Sequence, residues 1–221
     1  MTLEIACFAY EDAMIAIEGG ASRIELCKSQ HYGGLTPSVS AARELCKVSP
    51  VPVFIMIRPA DKDFIYNEEK FALMEKQILY FKKMKCDGFV FGALMKDGSV
   101  NKKKCKELVR LAKPLPCTFH RAFDRVKDPG QALEDIIECG FKRILTSGGP
   151  GKAIENLPML KKLIKQAGKR IIIIPGGGVR AENAQKIIQE TKCKEIHSAA
   201  TDRTRRRISL KEIRALKLIK A

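Results

Sequence analysis

The chain has 221 residues, of which 45% are hydrophobic and 30% charged, a composition typical of a globular protein with one sizeable core. It has no run of roughly 18 to 20 apolar residues and no basic and apolar leader at its start, so we expect a cytoplasmic protein with no membrane partner. The net charge of +16 comes from lysines spread over helical segments without interleaved aromatic residues, which indicates a solvated surface and no nucleic-acid partner.

Eight short runs rich in β-forming residues recur along the chain, separated by segments of helical period. In chain order they are LEIAC (3–7), RIELC (23–27), VFIMI (53–57), GFVFG (88–92), CTFH (117–120), RILTS (143–147), IIIIP (171–175) and EIHS (195–198). Strands that alternate with helices form a parallel sheet, and eight of them close a TIM barrel. We therefore predict one α/β domain over residues 1–221, a TIM (β/α)8 barrel. An open doubly wound sheet is the alternative, but no G-x-G-x-x-G follows the first strand.

Alternation along four of these strands turns polar side chains toward the barrel interior. In the first two strands the apolar residues face the helices, which leaves Glu4 and Glu25 facing inward. The same parity turns Arg58 and His197 inward at the third and eighth strands. Because TIM-barrel chemistry lies at the carboxyl ends of the strands, these four residues are candidate catalytic residues. A structural ion pair is the alternative, and it is equally well supported for Glu4 and Arg58.

The fifth strand continues into the segment CTFHRAFDR (117–125), in which Thr118 and His120 share the inward face. A single histidine in a strand is more often a hydrogen-bonded core residue, but Arg121 and Asp124 follow in the same loop. We predict that His120 and Asp124 are catalytic and that Arg121 binds an anion.

Three consecutive glycines, Gly176, Gly177 and Gly178, follow the seventh strand. Loops seven and eight form the usual phosphate site of barrel enzymes, and a helix that begins near Arg180 and Ala181 points its N-terminus at the same spot. We predict an anion-binding loop here, with a tight turn that needs positive φ as the alternative.

The loop after the eighth strand is short and ends in a basic cluster, Arg203 with Arg205, Arg206 and Arg207. The cluster can extend a positive rim around the anion loop. A solvated loop before the last helix is slightly favoured instead.

Eight cysteines are scattered without a C-x-x-C pair, which indicates neither a zinc site nor a disulfide framework. Cys7 and Cys27 come at the carboxyl ends of adjacent strands, where two thiolates can hold Cu(I) with Met56 as a thioether donor. Parity opposes this arrangement, because Cys27 shares a face with Glu25 whereas Cys7 lies opposite Glu4 unless the first strand bulges. Two small buried hydrophobic residues are the alternative.

Taken together, the motifs GGASRIELC, GGLTPS, VFIMIRP, DGFVFGAL, PLPCTFHRAFD, RILTSGG, PGGGVRAEN and EIHSAA resemble the CutC copper homeostasis family, in order from Glu4 to about Ala200. The resemblance implies a TIM barrel, frequent homo-oligomers, and copper handling with Cu(I) bound by Cys7 and Cys27. The candidate residues above fall on the family's motifs. This chain has MIRPADKDF where relatives usually have a basic, glycine-rich RPRGGDF, and its last loop is shorter.

Two functions follow from these observations. The resemblance favours a cytosolic copper homeostasis protein that binds Cu(I). The residues of the interior favour an enzyme acting on a small anionic or hydroxylated molecule, because carboxylates, histidines and an arginine suit proton transfer whereas Cu(I) prefers sulfur.

Overall fold

The computed structural model describes residues 1–202 and 207–219, in which strands and helices alternate along the chain. The strands are β1 (Thr2–Cys7), β2 (Arg23–Leu26), β3 (Val53–Met56), β4 (Gly88–Phe91), β5 (Cys117–Phe119), β6 (Arg143–Thr146), β7 (Ile172–Pro175) and β8 (Glu195–Ser198). The helices are α1 (Tyr10–Glu18), α2 (Val39–Val48), α3 (Glu68–Lys82), α4 (Lys102–Ala112), α5 (Pro129–Cys139), α6 (Leu157–Ala167), α7 (Ala181–Thr191) and α8 (Leu210–Lys217). Three 3₁₀ helices lie in loops, at Gln30–Tyr32, Arg121–Arg125 and Ala153–Glu155.

All eight strands are parallel and form one sheet in the order β7-β6-β5-β4-β3-β2-β1-β8. The two end strands, β7 and β8, contact each other and bring the sheet to near closure. The predicted TIM-barrel fold is therefore confirmed. The carboxyl ends of all strands meet at one rim, where the loops that lead into the helices converge.

Side-chain caps explain where several helices begin. The Asn67 side chain accepts the Lys70 N–H at 3.0 Å at the start of α3, and Asp128 accepts two backbone N–H groups at the start of α5. Helix α5 ends before Gly140, whose φ of +92° is the left-handed conformation of a helix C-terminus. The longest of these helices, α3, has 15 residues, and no described helix is long and apolar enough to cross a membrane.

Apolar side chains pack in two places. The larger cluster fills the layer between strands and helices and includes Leu3, Ile5 and Cys7 of β1. A smaller cluster lies inside the barrel and consists of Cys27, Phe54, Met56 and Val90, with Phe8 packed against it. Because alternate residues of a strand face opposite sides, the helix-facing assignment of Leu3 and Ile5 leaves Glu4 in the barrel interior, as predicted.

The predictions about the arginine cluster and the last loop concern a segment that is only partly described. Arg203, Arg205 and Arg206 lie outside the described residues. Arg207 is described and is exposed.

Candidate functional site

At the amino ends of the strands, the barrel interior holds a buried network of four charged side chains, which we call the barrel floor: Glu4, Arg23, Arg143 and Glu195. Arg23 donates from Nε to Glu4 Oε2 and from Nη2 to Glu195 Oε2. Arg143 Nε donates to the same Glu195 oxygen at 3.3 Å. The two guanidinium groups lie over the Phe54 ring at 5.2 and 5.3 Å from its centroid. Two cations thus face two carboxylates, which is how buried charges are made tolerable.

His197 joins this floor to the carboxyl ends of the strands. Its Nδ1 lies 2.8 Å from Glu4 Oε1, and its Nε2 lies 3.8 Å from Glu25 Oε2. The imidazole therefore lies between two carboxylates. Glu4 has both oxygens engaged, one by His197 and one by Arg23, whereas Glu25 Oε1 is buried without a hydrogen-bond partner among the described residues.

The two carboxylates differ in pKa because their surroundings differ. Burial favours the neutral acid at Glu4, but Arg23 and His197 outweigh it and hold the pKa at about 2. Burial raises the pKa of Glu25 above its usual value, and the Glu4 charge adds to this while His197 opposes it. Burial lowers the pKa of His197, but Glu25 and Glu4 reverse the effect and raise it above its usual value. A carboxylate with a lowered pKa therefore lies side by side with a carboxyl and an imidazole whose pKa values are both raised.

His120 is a second histidine of the interior, and it is neutral. Burial and the charge of Arg58 lower its pKa to about 3. The Ala122 backbone N–H donates to His120 Nδ1 at 3.3 Å, so Nδ1 is unprotonated and the ring hydrogen sits on Nε2. The ring packs against Phe64 with 4.7 Å between centroids. His120 Nε2 is buried and has no partner in the described parts of the chain.

Arg58 is held by backbone carbonyls rather than by a carboxylate. Its Nη1 donates to Tyr32 and Gly34 at 2.6 and 3.1 Å, and its Nη2 donates to Asp61 and Lys62 at 3.1 and 3.3 Å. The guanidinium therefore ties together the loops after β2 and β3. Its Nε alone remains without a partner in the described structure.

Arg121 and Asp124 form a bridge between the loops after β5 and β6. Asp124 accepts from Arg121 Nε at 2.7 Å, from the Ser147 backbone N–H at 2.9 Å and from the Thr146 hydroxyl at 2.5 Å. Arg121 Nη2 donates to the Ser147 hydroxyl at 3.1 Å. Asp124 thus orients Arg121 and joins the two loops, and its own carboxylate is saturated by these donors.

The three glycines after β7 occupy different environments. A Cβ at Gly176 would lie 2.4 Å from Leu145, so this residue is small because of packing. Gly177 and Gly178 have φ of +89° and +72°, which a residue with a Cβ adopts only at a cost. A Cβ at Gly177 would also lie 3.0 Å from the Arg121 guanidinium carbon. Backbone and guanidinium therefore approach each other closely at the rim.

These groups line a cavity of about 250 Å³ at the carboxyl ends of the strands, which we call the barrel mouth. Its lining includes Glu25, Arg58, His120, Arg121, Gly177 and His197, together with Gln30, Met56 and Phe64. Six buried side-chain polar atoms have no partner among the described residues, and three of them are on residues of this lining: Glu25, Arg58 and His120. Buried polar atoms are nearly always satisfied in proteins, so these three identify the mouth as a place where a ligand or water completes the bonding.

Cys7 and Cys27 lie on opposite faces of the strand layer. Cys7 packs in the cluster between strands and helices, whereas Cys27 packs inside the barrel with Met56. Burial raises the pKa of both thiols well above the usual value, and nearby carboxylates add to this. The two residues are neighbours through the backbone, because the Cys27 N–H donates to the Cys7 carbonyl at 2.8 Å. Their side chains do not converge as a two-thiolate Cu(I) site requires.

Another group of potential metal ligands consists of Glu4, Glu25 and His197, each with a ligating atom within 4.8 Å of the others. The Arg23 guanidinium and the His197 ring already occupy both oxygens of Glu4. A cation here would have to displace them, so the donor set fits an ion-pair network better than a metal.

Six of the twelve predicted site residues line the mouth, and some of its features were not predicted. The predicted residues absent from the cavity lining are Glu4, Cys7, Cys27, Asp124, Gly176 and Gly178. The ion pairs of Arg23, Arg143 and Glu195 were missed, although strand parity places Arg23 on the face of Glu25. Phe64 and Gln30 come from long loops, where no periodic pattern marks them.

A protein-family model described as the CutC family matches residues 1–202. The chain is 43% identical over 198 residues to a human protein named copper homeostasis protein cutC homolog, covering 90% of this chain and 72% of the relative. A crystal structure from Streptococcus agalactiae, provisionally described as a copper homeostasis protein CutC, superposes with a TM-score of 0.86 at 32% identity and covers 90% of this chain and 98% of that one.

Other barrels share only the fold. Phosphoribosyl anthranilate isomerase from Thermotoga maritima superposes with a TM-score of 0.65 at 16% identity, covering 98% of this chain and 97% of that one. This similarity agrees with the barrel architecture and says nothing further about the site.

Proposed function

The chain belongs to the CutC family, and we propose that it is an enzyme that performs acid–base chemistry on a small anionic or hydroxylated molecule bound in the barrel mouth. The observation that carries the proposal is that one cavity at the carboxyl ends of the strands is lined by three residues that each have a buried polar atom without a partner among the described residues. A cavity of about 250 Å³ is smaller than the roughly 300–1,000 Å³ of typical drug-sized ligand pockets, which favours a small substrate.

Each residue of the mouth has a role in this proposal. Glu25 exchanges the proton with the ligand, because it is the carboxyl of the mouth and burial raises its pKa above the usual value. His197 lies between Glu25 and Glu4, and together with Glu4 it balances the charge next to Glu25. Arg121 and the backbone of Gly177 bind the anionic part of the ligand at the rim, and Asp124 positions Arg121.

A metabolite extract provides the test. Wild-type protein and the Glu25→Gln variant are incubated separately with a small-molecule extract, and both mixtures are compared by untargeted mass spectrometry. We expect at least one compound to be consumed and another to accumulate with the wild type alone. Glu134→Gln is the matched control, because Glu134 is half-exposed on α5 and pairs with Arg170 on the outer surface. Identical profiles for wild type and Glu25→Gln would contradict the proposal.

Cu(I) binding is the second candidate, and one observation favours it. Cys27 and Met56, a thiol and a thioether, belong to the same buried cluster inside the barrel, and soft sulfur ligands select Cu(I). The predicted site also needs Cys7, whose side chain points to the other face, so binding through both thiols requires a local rearrangement of β1.

Competitive Cu(I) titration against a chromophoric chelator tests this candidate. If the predicted site exists, the Cys7→Ser/Cys27→Ser variant loses Cu(I) and Cys46→Ser, on α2, does not. Retention of tight binding by the double variant would exclude the two-thiol site.

Cytoplasmic location and homo-oligomer formation stay predictions. Sedimentation analysis of the purified protein measures the oligomeric state directly.

A further inference from the structure

Two unpartnered atoms of the mouth have opposite hydrogen-bonding character. Glu25 Oε1 is a buried acceptor, and His120 Nε2 is a buried donor because its Nδ1 accepts the Ala122 N–H. Both residues are at least 97% shielded from solvent and both line the same cavity. A ligand that satisfies both must present a donor to Glu25 and an acceptor to His120.

The rim supplies a third requirement. The Gly177 and Gly178 carbonyls accept from Ala153 N–H and from Asn183 Nδ2, both at 2.9 Å, but no acceptor for the two glycine N–H groups is found among the described residues. The Arg121 guanidinium packs against Gly177. Backbone N–H groups next to a guanidinium bind phosphate or carboxylate oxygens well. The ligand therefore combines a hydroxyl and a carbonyl with an anionic tail.

We propose that the substrate is an α-hydroxy aldehyde or ketone bearing an anionic group, whose hydroxyl–carbonyl pair is held between Glu25 and His120 while it passes through its enediol form. This inference rests on the proposed function and adds the substrate class to it. A neutral imidazole suits the role because its Nε2–H strengthens its hydrogen bond as charge develops on the carbonyl oxygen.

The proton balance closes within the substrate. The Glu25 carboxylate takes the proton from the carbon that bears the hydroxyl, and the C–H electron pair forms the C=C bond of the enediolate. The former carbonyl oxygen carries the negative charge and accepts the His120 Nε2–H. Return of the proton from Glu25 to the other carbon, with transfer of one hydroxyl proton between the two oxygens, gives an isomer. No external oxidant or reductant is consumed.

The test uses phosphoglycolohydroxamate, whose planar neutral hydroxamate mimics an enediol and whose phosphate fits the rim. Ethyl phosphate is the comparison ligand, because it keeps the phosphate and lacks the hydroxamate. Binding to the full-length protein is measured by calorimetry with a metal chelator present, so that chelation by the hydroxamate cannot contribute. We expect the hydroxamate to bind at least tenfold more tightly than ethyl phosphate.

Two variants of one residue sharpen the test. His120→Phe keeps a ring against Phe64 but removes the donor, and it should lose the tenfold preference while still binding ethyl phosphate. His120→Gln places an amide donor near the position of Nε2 and should restore part of the preference.

The possible failures are distinguishable. Equal affinity for the two ligands in the wild type, or a preference that survives His120→Phe, would overturn the substrate class while leaving an anion-binding mouth. Failure of both ligands to bind would overturn the inference together with the anion role that the proposed function gives to Arg121 and Gly177.

Discussion

The floor and the mouth of the barrel are both lined by buried charged and polar groups, yet they are bonded differently. In the floor, Arg23, Glu4 and Glu195 satisfy one another, and only Nη1 of Arg143 is left without a partner in the described structure. In the mouth, Glu25, His120 and Arg58 line a cavity, and each has one buried atom without a partner in the described part of the chain. Buried charges that are fully hydrogen-bonded specify one arrangement of the interior. A buried polar atom without a partner lowers stability, and a bound ligand that supplies the partner offsets this loss. This difference in hydrogen bonding distinguishes the residues that stabilise the barrel from the residues to which we assign the chemistry.

The largest effect is expected from breaking the floor. Replacing Arg23 with Met leaves Glu4 and Glu195 buried without their main cation, which should lower the free energy of unfolding by about 3–5 kcal/mol. Urea denaturation followed by circular dichroism measures it. Arg170→Met is the control, because its pair with Glu134 is solvent-exposed and should cost at most about 1 kcal/mol. Similar losses for the two variants would contradict a structural role for the floor.

Acidification should weaken the fold through a histidine of the mouth. The pKa of His120 is about 3 in the folded protein against an ordinary 6.5, so between these values the unfolded chain binds a proton that the folded chain does not. Stability therefore falls as pH drops through this window, by about 3 kcal/mol between pH 7 and pH 4 from this residue.

Urea denaturation of wild type and His120→Gln over that pH range isolates this contribution. The variant should show a shallower decline, although Glu4, with its lowered pKa, adds its own loss in both proteins below pH 4.5. Parallel pH profiles would show that His120 is not held neutral by burial.

A smaller effect is expected at the rim. Gly177→Ala forces a Cβ onto a residue with φ of +89° and toward Arg121, which should cost about 1–2 kcal/mol of stability and at least tenfold in ethyl phosphate affinity. Gly130→Ala is the matched control on α5, where an added Cβ meets Asp128 Oδ1 at 3.4 Å in an ordinary contact. Calorimetry and urea denaturation measure the two properties. Unchanged phosphate affinity in Gly177→Ala would remove the loop from the ligand site.

The smallest change in stability is expected for Glu25→Gln, although this variant should lose turnover completely. Glu25→Gln keeps the shape of the side chain and replaces a buried carboxyl whose Oε1 has no partner among the described residues, so the free energy of unfolding should change by less than about 1 kcal/mol. Turnover of any compound found in the extract experiment should disappear. A variant as unstable as Arg23→Met would place Glu25 with the floor instead.

The sequence predicted the barrel well because its strands are short β-rich runs at regular intervals. Strand parity also brought Glu4, Glu25 and His197 to one interior. It could not predict the ion pairs of Arg143 and Glu195, since pairing depends on which strands close the barrel. Which buried atoms lack a partner depends on hydrogen bonds that no sequence periodicity encodes, such as the one that the Ala122 N–H donates to His120.

The cysteines show a different limit. Parity already opposed a common face for Cys7 and Cys27, and their side chains do lie on opposite faces of the strand layer. The resemblance pointed to copper, while the polar residues pointed to proton chemistry. Residue type and side-chain orientation thus distinguish copper binding from proton chemistry, which the family assignment alone does not do.

The central claim, that the mouth holds a neutral histidine whose buried Nε2–H is free to donate to a ligand, is tested most directly by nitrogen NMR of protein labelled with ¹⁵N-histidine. The chain has only three histidines, so each ring is assigned by single substitution. We expect that at pH 7 His120 is the neutral Nε2–H form and stays so to about pH 4, because its pKa is about 3, while His197 keeps its second ring proton to a higher pH than an ordinary histidine. A His120 that titrates near pH 6.5, or that carries its hydrogen on Nδ1, would contradict it.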